Sequence, residues 1–410
     1  MDITVVRRAS RRGSRLTQLL GRRGRALIPL VVLVGALGVS ACGESERSDP
    51  GPQSGSSDSK VVAAAKAAVE DNYAGTDRPL PDSSPPVQRG KTVWVIACSL
   101  TTDGCRGPAE GAAAAGKAIG WNMKLVDGKL DPSNYNAQIR AAIAAKADAV
   151  VLEAIDCGVV RGAIGDAKAA GLKVYGIASL DCDDRYTGGE AMFDAEVQYG
   201  DFGTYGNFVE EGYARTVADY VIAKTDGKAK VIEVREEDIL VVRHINDGFE
   251  KAMERCRGCE VIQLPIAIPD LLQGKLQGKV SAALAKHPDA NVVMVPYDSA
   301  VALGIGAAVA QAKASGRELL LTGGEGQPAN VRLLKEGTQD MIAGSPLHRS
   351  GWAAIDGLNR LFAGEDQVDS GIGWQTIDQS HPLPDGAEFY DGNPSSLDYE
   401  ETYKGLWQAP

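Results

Sequence analysis

The sequence lacks the motifs by which many hydrolases, phosphate-binding enzymes and metalloproteases are identified. It contains no Gly-x-Ser-x-Gly elbow, no phosphate-binding loop and no His-Glu-x-x-His pair. Its four histidines are scattered along the chain, so none can be assigned as the base that a serine hydrolase would need. The sequence therefore predicts a protein that is not an enzyme and that uses no cofactor or metal.

A surplus of basic side chains is also missing from most of the chain. The formal net charge is −11, although residues 1–41 contain eight arginines and one acid. Beyond that segment the net charge is −18. An acidic body repels phosphate backbones, so nucleic acid is not an expected partner. The length of 410 residues and the ordinary apolar content of 44% predict two or three soluble domains.

No apolar run has the length of about 20 residues that a membrane-spanning helix needs. Residues 26–39 (ALIPLVVLVGALGV) follow the eight arginines and precede small residues, which is typical of an export signal over residues 1–41. The stretch 39–43 (VSACG) resembles the lipobox of bacterial lipoproteins. This resemblance implies that Cys42 is lipidated and holds the protein on the extracytoplasmic face of the cell membrane. The alternative to a cleaved signal is an N-terminal helix that anchors the chain in the membrane. The arginine pairs also suggest export by the twin-arginine route as an alternative to the general secretory route.

Residues 42–90 are predicted to form a flexible tether that starts at the lipidated cysteine. Residues 43–60 have no large apolar side chain, so they cannot bury enough surface to offset the entropy lost on ordering. Residues 61–74 could form one short helix, and residues 75–90 are again rich in Pro, Asp and Ser. The packed domain is therefore expected to start near Lys91.

Six cysteines follow Cys42, and an even number in an exported chain suggests disulfides. Six cysteines allow 15 connectivities, of which we predict the most local one. The predicted pairs are Cys98–Cys105, Cys157–Cys182 and Cys256–Cys259. Zinc bound by Cys256 and Cys259 is the alternative, although no second Cys or His pair lies nearby in the sequence.

From Lys91 onward, short β-rich runs alternate with longer Ala-rich helical stretches. Continuous apolar strands separated by amphipathic helices are typical of parallel sheets covered on both faces. The predicted strands are 92–97, 122–126, 149–153, 173–177, 230–234, 260–264, 292–296 and 318–322. The predicted helices are 107–119, 134–146, 158–170, 208–224, 243–256, 270–286, 299–314 and 327–336.

A weak internal repeat predicts two lobes of the same build. Residues 141–171 and 282–316 each contain a helix, a Val-Val strand, an Asp and a helix that ends Ala-Lys-Ala-x-Gly. Asp156 and Asp298 occupy matching points of the repeat. Ligands of open parallel sheets bind beyond the carboxyl ends of the strands, so the two carboxylates are expected on opposite walls of one cleft. Capping of the following helices is the alternative role for both.

Several segments together resemble the type I periplasmic sugar-binding proteins of ABC importers, over roughly residues 90–380. They are strand 92–97 with Ser99, then 131–140, 149–156, 292–304 and 322–326. The resemblance implies an α/β fold of two doubly wound parallel-sheet lobes joined by a three-segment hinge. The implied ranges are 91–207 with 345–372 for lobe 1, 208–344 with 373–382 for lobe 2, and 383–410 for a C-terminal extension.

The resemblance also implies a function, when it is combined with the lipobox. The protein would be a monomeric solute-binding lipoprotein that closes like a hinge on a sugar or other small polar ligand. It would deliver that ligand to an ABC permease in the membrane, or alternatively pass a signal to a sensor partner.

The positions that bind sugar in ribose- and galactose-type members mostly hold other residues here. Glu153 stands where those members often have Asn, Ser179 follows the fourth strand in place of their Asp-Arg, and Tyr297 replaces the Asn of their Asn-Asp. Glu325 lies in the segment that corresponds to their Phe-Asp-Gly, whereas their Arg is kept as Arg243. The predicted ligand-binding residues are Ser99, Thr102, Asp103, Glu153, Asp156, Ser179, Phe202, Tyr205, Arg243, Tyr297, Asp298 and Glu325.

This set contains more acids than cations, and it includes aromatic side chains from residues 199–208 (YGDFGTYGNF). The acids indicate either a ligand rich in hydrogen-bond donors, such as a polyol, amino sugar or amine, or a solvated rim. Two or three of the four aromatic residues in this segment could instead pack in the core. In the C-terminal extension, Phe389, Tyr399, Tyr403 and Trp407 suggest packing onto a lobe.

Overall fold

The computed structural model of the chain describes residues 54–393 and 398–408. The predicted signal segment 1–41 and the lipidation site Cys42 lie outside these residues. Within the two described ranges, no helix is both long enough and apolar enough to cross a membrane. The first helix of these residues is α1, Ser54–Tyr73.

The first sheet consists of five parallel strands in the order β2-β1-β3-β4-β5. Its central strands are buried and mostly apolar, as is typical of a parallel sheet that helices cover on both faces. The strands are β1 Thr92–Ala97, β2 Asn122–Asp127, β3 Ala149–Glu153, β4 Lys173–Ile177 and β5 Ala195–Glu196. The helices between them are α2 Asp103–Ala118, α3 Pro132–Ala144 and α4 Cys157–Ala169. All the strands and helices predicted for this half are present, with ends shifted by a few residues.

The second sheet has six strands in the order β11-β10-β9-β8-β6-β7, and only β11 runs antiparallel to its neighbour. The strands are β6 Lys230–Glu236, β7 Glu260–Ile266, β8 Val292–Met294, β9 Leu320–Glu325, β10 Met341–Gly344 and β11 Gln375–Ile377. The earlier helices are α5 Tyr205–Asn207, a π-helical segment Phe208–Tyr213, α6 Ala214–Lys224, α7 Leu240–Met253, α8 Ile268–Leu272 and α9 Leu276–Lys286. The later ones are α10 Asp298–Ala300, a π-helical segment Val301–Ile305, α11 Gly306–Ala314 and α12 Pro328–Lys335.

The chain returns to the first sheet after β10, through helix α13, Leu347–Ala363. This helix packs against α2 so closely that a Cβ atom on Gly351 would lie 2.2 Å from the backbone nitrogen of Ala112. Segments 197–204, 345–346 and 364–374 connect the two halves. We call the first sheet with α2, α3, α4 and α13 lobe 1, and the second sheet with α6 to α12 lobe 2. The strands of each sheet fall within the ranges predicted for the two lobes.

The short helix predicted within residues 61–74 is present as part of α1, but residues 54–90 pack on the lobes and do not form a flexible tether. Helix α1 packs on α6 and β11 of lobe 2 and buries Ala65 and Val69. Asp77 then forms an ion pair of 2.9 Å with Arg349 of α13, and both side chains are almost fully buried. Farther on, the backbone nitrogen of Gln88 donates to Asn359 of the same helix at 2.9 Å. Polar groups of this segment thus pair with buried polar groups of α13. Because the segment runs from α1 on lobe 2 to β1 in lobe 1, it is a fourth connection between the lobes.

The six cysteines form three local disulfides in the structure, in the pairing predicted from the sequence. They join Cys98 to Cys105, Cys157 to Cys182 and Cys256 to Cys259. Because Cys256 and Cys259 are joined in a disulfide, their sulfurs are not the free thiolates that a zinc site needs.

The C-terminal extension packs onto lobe 1 through helix α14, Tyr399–Leu406. Its Tyr403 and Trp407 are buried, with ring centroids 6.4 and 5.7 Å from that of Trp352 in α13. The indole nitrogen of Trp407 donates to Asp356 at 2.9 Å. Phe389, which was also expected to pack, is 43% exposed.

Candidate ligand-binding cleft

The carboxyl ends of strands from both sheets meet at a cavity of about 200 Å³. On the side of lobe 1, Glu153 ends β3 and Ala178 follows β4. On the side of lobe 2, Tyr297 follows β8 and Glu325 ends β9. Such an edge is where open parallel sheets place their ligands, so the fold itself positions a binding site between the lobes.

Half of the predicted ligand-binding residues line this cavity. They are Thr102, Glu153, Asp156, Tyr205, Tyr297 and Glu325. Three of the six are acids. Thr102, Glu153 and Asp156 come from the side of lobe 1, and Tyr297 and Glu325 come from lobe 2. Tyr205 follows the first segment that connects the lobes. The structure thus brings together side chains that are more than 200 positions apart in the sequence.

Glu153 is fully buried at the end of β3. One carboxylate oxygen lies 3.4 Å from the backbone nitrogen of Cys98, and the other has no hydrogen-bond partner among the described residues. Burial raises the pKa of Glu153 well above its ordinary value, and the nearby charge of Glu325 raises it further. An acid in this position is stabilised by any ligand group that donates a hydrogen bond to it.

Glu325 approaches the cavity from lobe 2 and accepts a hydrogen bond from the side chain of Gln327. Burial, with a contribution from Asp298, raises the pKa of Glu325 to about 8. Asp298 does not line the cavity, contrary to the prediction. It is fully buried and accepts from the backbone nitrogens of Gly326 and Gln327 at 2.8 and 2.9 Å. It therefore holds the turn that presents Glu325.

Asp156 lines the cavity but does not cap the helix that follows it. Its side chain accepts no hydrogen bond from the first turn of α4, and instead accepts from the backbone nitrogen of Leu180 at 3.0 Å. Burial raises the pKa of Asp156 to about 6, although the backbone amide of Leu240 at the start of α7 opposes this rise. Because α7 belongs to lobe 2, this carboxylate lies where the two lobes meet at the edge of the cleft.

Four other predicted residues lie outside the cavity lining because they have partners elsewhere. The hydroxyl of Ser99 hydrogen-bonds to that of Thr101, and Asp103 pairs with Arg106 one turn along α2. Ser179 accepts from the backbone nitrogen of Ile155 at 3.0 Å and so stabilises the turn after β3. Phe202 packs in the hydrophobic core against Phe208 and Trp374, with centroid distances of 5.9 and 5.7 Å.

Arg243 is also absent from the cavity lining, so its predicted role as the main donor in the cleft is not what the structure shows. Its guanidinium forms an ion pair of 3.1 Å with Glu237 and lies 4.2 Å from the ring centroid of Tyr186. The register of α7 turns it toward these partners, whereas Val242 and Ile245 of the same helix line the cavity.

Four further aromatic residues line the cavity: Tyr135, Tyr199, Phe208 and Tyr213. Tyr199 and Phe208 belong to the segment 199–208, which was expected to contribute aromatic side chains, whereas Tyr135 and Tyr213 were not predicted. Tyr199 stacks near Phe208 and Tyr205 with centroid distances of 4.5 and 5.3 Å. Tyr135 and Tyr213 come from distant helical segments, and nothing in their local sequence indicates a cleft.

The two lobes are also joined beside the cavity by a cluster of charged and polar side chains, which we call the interlobe latch. Its members are Asp184, Arg185 and Tyr186 after β4, and Glu210, His244 and Asp247 in lobe 2. His244 lies 2.7 Å from Glu210 through Nδ1 and 2.8 Å from Asp184 through Nε2. Arg185 forms ion pairs of 2.6 Å with Glu210 and 3.2 Å with Asp247. The latch stabilises the arrangement in which the lobes meet.

A family model described as a periplasmic binding protein domain matches residues 94–366. Among solved structures, an ABC transporter solute-binding protein of Agrobacterium vitis bound to α-D-tagatopyranose is similar at 20% identity and a TM-score of 0.62. The match covers 74% of this chain and all of the other. No curated protein sequence matches the chain.

Two further solved structures show the same fold. A solute-binding protein of Mycobacterium smegmatis with bound glycerol has 20% identity and a TM-score of 0.61, covering 75% of this chain and all of the other. A 5-methylthioribose transporter solute-binding protein of Thermotoga lettingae has 15% identity and a TM-score of 0.63, covering 80% of this chain and all of the other. At these identities the likeness extends to the fold alone.

Proposed function

The chain belongs to the periplasmic binding protein family, and from that premise we propose that it is the lipid-anchored solute receptor of an ABC importer. The family consists of binding proteins rather than enzymes. In this proposal the protein is a monomer held on the extracytoplasmic face of the membrane by Cys42. It captures a sugar or other small polar solute between its lobes and delivers it unchanged to the permease.

The observation that carries the proposal is that strand ends of both sheets line the same cavity. A ligand that contacts both lobes binds the closed arrangement better than the open one, and closure is then driven by that difference in affinity. The connections between the lobes are short segments that can absorb such a rotation. The sequence 39–43, with its resemblance to a lipobox, supports the anchor.

The closure is testable at Gly104, where α2 of lobe 1 approaches lobe 2. A Cβ atom at this position would lie 3.0 Å from Nε2 of Gln327 and 3.1 Å from Oε1 of Glu325. We expect Gly104→Leu to hold the lobes apart and to weaken solute binding about 10- to 100-fold, since overpacking costs about 1–3 kcal/mol. Calorimetry with a solute found by thermal-shift screening of sugars, polyols and amines measures this loss.

Gly162→Leu is the matched control, because a Cβ atom there has no neighbour within 4 Å. Small-angle scattering should show that the solute reduces the radius of gyration of the wild type and of the control, but not that of Gly104→Leu. Chemical conversion of the solute, or closure that is unchanged in Gly104→Leu, would contradict the proposed mechanism.

The anchor is tested by replacing Cys42 with alanine. Because lipidation occurs on the cysteine sulfur, we expect Cys42→Ala to move the protein from the membrane fraction to the soluble fraction or to block signal cleavage. Fractionation of cells and mass spectrometry of the mature N-terminus measure both effects. Normal processing together with full membrane retention of the variant would exclude the lipid anchor.

A further inference from the structure

The side chains that line the cavity, all within the described part of the chain, combine four carboxylates with six aromatic rings. No lysine, arginine, histidine, asparagine or glutamine is among them. The acids are Glu153, Asp156, Asp238 and Glu325, and the rings are those of Tyr135, Tyr199, Tyr205, Phe208, Tyr213 and Tyr297. A neutral sugar has oxygens that accept hydrogen bonds, and it needs donors as well as acceptors from its site. With the acids ionised, the side-chain donors of this lining are hydroxyl groups, and those of Tyr135, Tyr297 and Ser299 already hydrogen-bond to other protein groups.

Glu153 provides the most direct indication of what the ligand carries. It is completely buried, and one of its oxygens has no hydrogen-bond partner among the described residues. A buried carboxylate without a partner is costly, unless a donor or a positive charge reaches it. Because Glu153 lines the cavity, that group can come from the ligand.

Glu325 lines the same cavity from the opposite lobe, and its charge helps to raise the pKa of Glu153. The two carboxylates therefore repel each other when both are ionised, and the free site favours their protonated forms. A single cation between them would relieve the repulsion and would offset part of the desolvation of both carboxylates. The tyrosine and phenylalanine rings add to this, since the face of an aromatic ring attracts a cation. A ligand that places positive charge here also draws the two lobes together.

We propose that the ligand of this cleft is a small organic cation, whose ammonium group binds between Glu153 and Glu325 and against the surrounding aromatic rings. This inference rests on the proposed solute-binding function and specifies the chemical class of the solute. The hydroxyl groups of Thr102 and Ser345, which also line the cavity, are available to polar substituents of the same ligand.

Two pairs of probes that differ mainly in charge test the proposal. One pair is choline and its neutral carbon analogue 3,3-dimethylbutan-1-ol, and the other is D-glucosamine and D-glucose. We expect at least one of the two cations, at 10 mM, to raise the Tm of the purified mature protein and to reduce its radius of gyration. The neutral member of the same pair should do neither.

Glu153→Gln keeps the shape of the side chain and removes its charge. We expect it to weaken binding of the cation about 10- to 100-fold, as for the loss of a hydrogen bond between charged groups. Glu260→Gln is the control, because Glu260 lies outside the cavity lining and its side chain is 59% exposed. The Tm of each free variant shows that it is folded.

Failure of both cations to bind at 10 mM would overturn the assignment of a cationic ligand. Equal binding of the neutral partner, or undiminished cation binding by Glu153→Gln, would overturn it as well. A neutral sugar that closes the lobes would leave the solute-receptor function standing. The receptor function itself fails if the wild type converts the solute chemically, or if Gly104→Leu and the wild type respond alike to every solute in the wider screen.

Discussion

Replacing Asp77 with alanine should lower the free energy of unfolding by about 3–5 kcal/mol, which is the usual cost of removing one partner from a buried ion pair. Its partner Arg349 is 2.9 Å away, and the exposed fractions of the two side chains are 2% and 0%. The variant leaves the guanidinium buried without this carboxylate. Urea denaturation of the mature protein, followed by tryptophan fluorescence, measures the difference.

Asp226→Ala is the matched control for this experiment. Asp226 also pairs with a cation, Lys66, but the two side chains are 70% and 57% exposed. Solvent screens exposed pairs so strongly that they contribute little to stability, so this variant should unfold almost like the wild type. The double variant Asp77→Ala with Arg349→Met should recover part of the lost stability, because it removes the unpaired charge as well. Equal stability of Asp77→Ala and the control would show that residues 74–90 are not needed to hold the lobes.

The same ion pair shows where prediction from sequence reaches its limit. The strands 92–97, 149–153 and 173–177 were predicted with correct bounds, because continuous apolar runs between amphipathic helices have few other interpretations. Residues 75–90 were predicted as tether because they are polar and rich in proline. Composition does not reveal that Asp77 faces a buried arginine 272 positions away. Long-range pairing of this kind depends on the assembled fold.

The candidate site was predicted in part for a similar reason. Glu153 and Glu325 were expected in the site from the resemblance to sugar-binding proteins, and they end β3 and β9, where parallel sheets place their ligands. Arg243 lies inside a helix, where a rotation of 100° per residue decides which side chain faces the cleft. Tyr135 and Tyr213 line the cavity from helical segments, and their contribution depends on packing between elements.

The second large effect is expected at the interlobe latch, where the protonation of His244 controls closure of the lobes. Both ring nitrogens of His244 face carboxylates, which can only accept hydrogen bonds, so the ring is doubly protonated in this arrangement. Burial alone would lower the pKa of His244, but the hydrogen bonds to Asp184 and Glu210 outweigh it and raise the pKa above its ordinary value. Burial alone would raise the pKa of Asp184 and that of Glu210. The hydrogen bonds with His244 and with neighbouring groups outweigh burial, so both pKa values lie below their ordinary values.

The pH dependence of the latch follows from these directions. A histidine whose pKa is raised stabilises the closed lobes fully below its ordinary pKa of about 6.5, and that contribution is lost as the pH rises through the raised value. The two carboxylates contribute above their ordinary pKa of about 4, and they lose their contribution as the pH falls through the lowered values. The latch should therefore be strongest near pH 5–6 and weaken on the alkaline side.

His244→Ala should open the lobes of the free protein, because it leaves Asp184 and Glu210 without the cation between them. Truncating one partner of a buried, hydrogen-bonded charge pair across an interface costs about 2–5 kcal/mol. Because Arg185 still pairs with Glu210 in the variant, we expect a cost toward the lower end of this range. Small-angle scattering of the wild type should show a larger radius of gyration at pH 8.5 than at pH 5.5. The variant should have the larger radius at both values, whereas His287→Ala, outside the cavity lining, should behave like the wild type. A radius that is the same in all three proteins at both pH values would show that closure does not depend on the latch.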